Sequence, residues 1–192
     1  MKPSVAILLG SARSEGNTAK LVSALTQNIG AKVYDLRRYQ IKAFDYDFAN
    51  QEDDFQLLMN QLLEYPIILF ASPVYWYAPS AQVKIFIDRL SDFLKLDALK
   101  DKGRILRSKY TGVIATSASP ELEPSFASIF DNTFRYLGMT NIGSLFRYCE
   151  NEPEISPKEP AIVEFSDKIE KVVQHISGLR SSKIQVAENT AT

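Results

Sequence analysis

Val5-Ala6-Ile7-Leu8-Leu9-Gly10-Ser11-Ala12-Arg13-Ser14-Glu15-Gly16-Asn17-Thr18 is a five-residue apolar run that gives way, between two glycines, to small polar residues. An unbroken apolar run of that length ending in glycine reads as a strand buried on both faces. Behind it Leu21, Val22, Leu25 and Ile29 fall on one helical face, closed by Gly30. Strand, short loop and amphipathic helix make a βα unit, with the loop at the strand's C-terminal end.

The same alternation continues along the chain. Lys32–Leu36 reads as a second strand, followed by a long polar and aromatic connection to about Asp54. Phe55, Leu58, Met59, Leu62 and Leu63 restore helical spacing. Pro66–Ala71, the most apolar run, is expected at the sheet centre and to stop at Ser72-Pro73. A helix beginning at Pro79-Ser80 carries Val83, Phe86, Ile87 and Leu90, and is expected to continue past Leu90 through Phe93, Leu94 and Leu96. After a charged stretch, Tyr110–Thr116 predicts a strand, and Phe126, Ile129, Phe130, Phe134 and Leu137 predict a helix capped by Gly138. Asn141–Tyr148 is a fifth strand, Pro153, Pro157 and Pro160 mark a loop, and Ile162 to Ile176 form a last amphipathic helix.

Five strands interleaved with five helices predict an α/β doubly wound, three-layer sandwich with helices on both faces of a parallel sheet. Residues 1–176 are expected to form one domain, and 177–192 a polar tail. In such sheets ligands bind outside the strand C-termini where the strand order reverses. Three loops are therefore of interest: Gly10–Thr18, Ser72–Ser80 and Thr116–Pro124.

Composition narrows the function. With 22 Lys plus Arg against 23 Asp plus Glu, the net charge is −1 and no basic block exists, so a nucleic-acid partner is not expected. That charge also lacks the acidity of small electron shuttles that dock on basic partners. No apolar run approaches the roughly 20 residues of a membrane span, and the first ten residues do not read as a signal peptide. The cytoplasm is the expected compartment. Area scaling for a chain of this size buries about 70% of the unfolded surface, so stability needs no disulfide or metal.

The first loop offers Ser, Asn and Thr donors at a helix N-terminus, a place suited to phosphate. No Lys-Ser or Lys-Thr pair follows Gly16, which excludes a P-loop, and the G-x-G-x-x-G spacing is absent. The spacing fits a monophosphate with Arg13 nearby, or an ordinary capped turn in which Ser14 and Asn17 satisfy helix donors. Asp35 could imitate a ribose-binding acid, but its accompanying glycine pattern is missing. In the second loop Tyr75-Trp76-Tyr77 stands between prolines, positioned either to flank a planar ligand or to cover a sheet edge or subunit contact. A receiver-type acidic pair after the first strand and a phosphatase loop cysteine are both absent.

Gly10, Ser11, Arg13, Gly16, Asn17 and Thr18, taken together with Pro73, Tyr75, Ser80, Lys84, Asp88 and Arg89, resemble the paired motifs of the NAD(P)H-dependent FMN reductase family. The resemblance spans residues 3 to 148 and implies a flavodoxin-like sheet of order 2-1-3-4-5. It further implies noncovalent FMN, with NADPH or NADH as co-substrate and a small-molecule electron acceptor. By this likeness Ser11, Arg13, Ser14, Gly16, Asn17 and Thr18 hold the phosphate, and Pro73, Val74, Tyr75 and Trp76 line the flavin. Ser117, Ala118 and Ser119 stand where relatives often carry glycines beside the ring. The family also implies a homodimer or homotetramer. Its iron–sulfur branch carries four cluster cysteines, whereas this chain has only Cys149. Hydride transfer needs no general base, so no catalytic acid or base and no metal ligand is expected; Asp88 and Arg89 are read as a helix-surface or intersubunit ion pair, either structural or close to the cofactor, and the lone His175 as structural or solvated.

Overall fold

The computed structural model describes residues 3–150 and 154–189, with side chains as far as residue 179. Strands β1 (Val5–Leu9), β2 (Ala31–Asp35), β3 (Ile67–Tyr75), β5 (Tyr110–Ser117) and β6 (Thr140–Tyr148) pair in parallel in the order β2-β1-β3-β5-β6. The two-residue β4 (Ala78–Pro79) folds back antiparallel on β3. Setting that short strand aside, the order is the expected 2-1-3-4-5, and the chain reverses direction across the sheet between β1 and β3.

Both faces of the sheet are covered because the strand residues alternate between two cores. Ala6 and Leu8 of β1 and Ile68 and Phe70 of β3 pack on one side. There they meet α2 (Asp54–Leu62), α3 (Ala81–Arg89) and α6 (Pro124–Leu137). Val5, Ile7 and Leu9, with Ile67 and Leu69, face α1 (Asn17–Asn28) and α7 (Pro160–Asn189) on the other. Side chains of successive strand residues point to opposite faces, so an uninterrupted apolar run feeds both cores.

Three features differ from the expectations. β3 does not end at Ser72-Pro73: these residues pair with Ala115 and Thr116 of β5, and the strand runs on to Tyr75. β1 has already ended at Leu9 opposite Ala71, leaving β3 a neighbour on one side only, a setting that tolerates proline. α3 stops at Arg89 because the chain tightens into i→i+3 bonds, Leu90 to Ile87 and Ser91 to Asp88, before α4 (Asp92–Lys95) and α5 (Lys100–Ile105). α7 stays helical to Asn189, beyond the apolar pattern that ends at Ile176. Pro153 and residues 190–192 of the tail lie outside the described residues.

Gly138 closes α6 in the left-handed conformation at φ 73°, as its expected cap. The β5–β6 ladder slips between Thr111 and Val113, so that Ile142 and Gly143 together face Gly112. Gly143 adopts φ 103° there, and its N–H is taken by Asn141 Oδ1 at 2.9 Å.

Candidate functional site

A cleft of about 300 Å³ opens at the C-terminal ends of β1, β3 and β5. The first loop lines it with Ser11, Arg13, Gly16, Asn17 and Thr18, the second with Pro73, Val74 and Tyr75, and the third with Ser117 and Ala118. Three residues expected there stand apart. Ser14 Oγ donates to Asp35 Oδ2 at 2.8 Å and accepts from Arg37 Nη1 at 3.0 Å. Trp76 is 91% exposed, and Ser119 turns its N–H back onto Ser117 Oγ. Two further residues, Thr116 and Cys149, join the lining. Both sit at the C-terminal ends of strands, a position that marks them in sequence once the strands are assigned. Cys149 is drawn in because its N–H donates to the Ser117 carbonyl while its own carbonyl accepts from Asn17 Nδ2 at 3.2 Å.

The N-terminus of α1 faces this cleft without a cap. Its N-cap is Gly16, its first turn holds no acidic residue, and the first internal bond is Lys20 N–H to the Gly16 carbonyl at 3.0 Å. The N–H groups of Asn17, Thr18 and Ala19 thus meet no acceptor among the described residues. By contrast Asp53 caps α2 and Ser80 caps α3 through their side chains. An uncapped helix start carries unsatisfied donors and partial positive charge, which suits a phosphate. The exposed Arg13 guanidinium, without a partner among the described residues, adds a full charge. The donor set thus fits the phosphate of FMN, and among the described residues no carboxylate lines the cleft to repel it.

Buried hydroxyls lash the loops together. Ser80 Oγ donates to the Gly10 carbonyl at 2.6 Å, Ser80 N–H to Ser72 Oγ at 2.9 Å, and Ser72 Oγ to the Pro73 carbonyl at 2.7 Å. β3 and β4 are joined by Trp76 and Tyr77, both in the left-handed region at φ 49° and 64°. A two-residue hairpin with both central φ values positive matches the strand twist, but aromatic side chains there cost energy. Tyr75 is 46% and Tyr77 59% exposed, so the hairpin holds an aromatic edge at the mouth of the cleft.

Asp88 and Arg89 do not pair with each other. Asp88 binds Lys84 at 2.7 Å on the exposed face of α3. Arg89 is buried, ion-paired with Asp53 and with Asp92 at 2.9 Å, and it donates to the Lys42 and Asn50 carbonyls at 3.0 Å each. Burial opposes its charge, but the hydrogen bonds to Asp53 and Asp92 outweigh that and raise its pKa. Neither residue lines the cleft, and His175 is exposed on α7.

The profile of the NADPH-dependent FMN reductase family matches residues 3–154. The chain belongs to that family. As an FMN reductase family member it is an NAD(P)H-dependent oxidoreductase with FMN as cofactor. The Bacillus subtilis (strain 168) protein YwqN, provisionally named an NAD(P)H-dependent FMN-containing oxidoreductase, is 28% identical over 144 residues, 71% of this chain and 80% of YwqN. An iron-sulfur flavoprotein of Archaeoglobus fulgidus is 24% identical over 148 residues, which cover 71% of this chain and 64% of that protein. The structure of the Trp repressor binding protein from Bacillus subtilis superposes with a TM-score of 0.68 at 25% identity, covering 84% of this chain and 95% of that one.

Proposed function

We propose that this chain takes hydride from NADPH or NADH and passes electrons through FMN to a small acceptor: a quinone, free flavin, nitro or azo compound, or metal ion. The uncapped start of α1, facing a cleft at the sheet's reversal point, is the observation that carries this reading. When bound, FMN supplies the hydride-accepting and electron-donating chemistry. The chain's own residues bind and orient. Ser11, Arg13, Gly16, Asn17 and Thr18 hold the phosphate, with Ser14 bracing their loop from behind through Asp35. Pro73, Val74 and Tyr75 lie along the ring, Trp76 stands at its rim, and Ser117 and Ala118 approach from the end of β5 and the loop that follows it, with Ser119 bracing that loop through Ser117 Oγ. Residues 1–176 act as one FMN-binding domain with a polar tail at 177–192, working as a homodimer or homotetramer in the cytoplasm.

The test is the absorption spectrum of purified protein with FMN, before and after anaerobic NADPH. Rapid loss of the yellow band is expected. An oxidised spectrum that persists favours an electron carrier that does not turn over pyridine nucleotide, and failure to bind FMN removes both readings.

A further inference from the structure

Thr18 and Thr116 meet at the floor of the cleft, Oγ1 to Oγ1 at 2.7 Å, and are 1% and 4% exposed. Thr18 is the second residue of α1, beside the unsatisfied N–H groups, and Thr116 is near the end of β5. Two hydroxyls bring two hydrogens to this contact, but one hydrogen bond consumes only one of them. Neither hydroxyl has another partner among the described residues. A buried hydrogen of donor character is therefore left over inside the cleft that both residues line. Leaving such a donor unmade is costly, so its presence at a helix N-terminus points to an acceptor that arrives with a ligand.

We infer that Thr116 is a positioning residue for the phosphate of FMN. Its hydroxyl donates to Thr18 Oγ1, which fixes the Thr18 rotor and turns the Thr18 hydrogen toward the phosphate. A hydroxyl that accepts one hydrogen bond also becomes a better donor in the next, which strengthens the bond to the anion. Thr116 lies 98 residues from Thr18 in the chain, and its strand binds the opposite side of the cleft. The inference rests on the FMN reading of the site, and it assigns to β5 a share in phosphate recognition.

The experiment titrates unmodified protein, Thr116→Val and Thr116→Ser with FMN and separately with riboflavin, following flavin fluorescence. Loss of a hydrogen bond in a chain ending on a charged acceptor weakens binding on the order of tenfold. Thr116→Val is expected to lose about that factor for FMN while riboflavin affinity stays within about twofold, and Thr116→Ser to recover FMN binding. Thr18→Val combined with Thr116→Val is expected to lose no more than Thr18→Val alone, because Thr116 acts through Thr18. Equal losses for FMN and riboflavin, or no rescue by serine, overturn the inference, since either marks a packing role or a hydrogen aimed at the ring. Should Thr116→Val not fold, the comparison of Thr18→Val with Thr18→Ser decides: equal FMN affinity overturns the inference. Unmodified protein that binds no FMN overturns the functional reading itself.

Discussion

A methyl group added to Gly10 would sit 2.2 Å from Val83 Cγ2, whereas on Gly16 its nearest neighbours lie at 3.5 and 3.6 Å, ordinary contact. Gly10 is therefore required by the approach of α3 to the first loop, and Gly16 leaves open the space in front of α1. Gly10→Ala is expected to lower stability by about 1–3 kcal/mol through overpacking. Gly16→Ala should cost under about 1 kcal/mol as a poorer N-cap, yet weaken FMN binding several-fold by filling the phosphate's approach. Thermal melts of the apoprotein and FMN titrations of both variants check this; a Gly16→Ala variant with full FMN affinity would place the phosphate elsewhere. The sequence located both glycines at the loop, but spacing cannot say what a missing side chain would strike. Ser14 carries the same lesson, because its hydroxyl is captured by Asp35 from the neighbouring strand, a contact that exists only once β2 lies beside β1.

Among the elements, the β3–β4 hairpin is the most strained, with Trp76 and Tyr77 held at positive φ. The sequence marks the aromatic triplet between prolines, yet Ser72-Pro73 reads as a stop, and only the pairing with β5 carries the strand onward to form a hairpin. Backbone strain of this kind persists where the surrounding structure holds it in place, and it clusters at active sites and ligand clamps. Replacing the turn by Trp76→Asn with Tyr77→Gly is expected to stabilise the protein by about 1–3 kcal/mol, since these residues favour that turn. NADPH-dependent turnover is expected to fall with the loss of the aromatic rim. Urea denaturation and steady-state kinetics measure the two effects, and a variant both more stable and fully active shows that the strain serves no catalytic purpose. The α3 break is the other element that periodicity hides: Phe93 and Leu94 keep the helical spacing, but Phe93 is buried and Leu94 38% exposed once the chain turns at Leu90.

Across the whole molecule, Arg89 joins α3 to the long β2–α2 connection by way of Asp53, Lys42 and Asn50. Removing it strands two buried carboxylates, so Arg89→Ala is expected to cost about 3–5 kcal/mol, while Lys84→Ala, at the exposed pair, costs about 0.5 kcal/mol or less. Chemical denaturation of the two variants compares them; similar small losses would mean that the buried cluster relaxes around the gap. Stability also carries an alkaline signature. Tyr34 donates to Tyr65 at 3.2 Å, and burial, reinforced by that bond, raises its pKa. Below pH about 10 the phenol is neutral in folded and unfolded chains alike, so its contribution is intact; above that the unfolded chain alone loses the proton, and stability falls as pH rises. Tyr34→Phe is expected to flatten that decline in denaturation midpoints between about pH 9 and 11. The slipped register opposite Gly112 has a consequence for how copies of the chain meet. β6 is the outer strand on its side, and a bulge there interrupts the straight row of donors and acceptors that another strand would need as a template. Edge-to-edge growth into a continuous intermolecular sheet is thereby discouraged on this side, and straightening the bulge by deleting Gly143 is the change that would invite it.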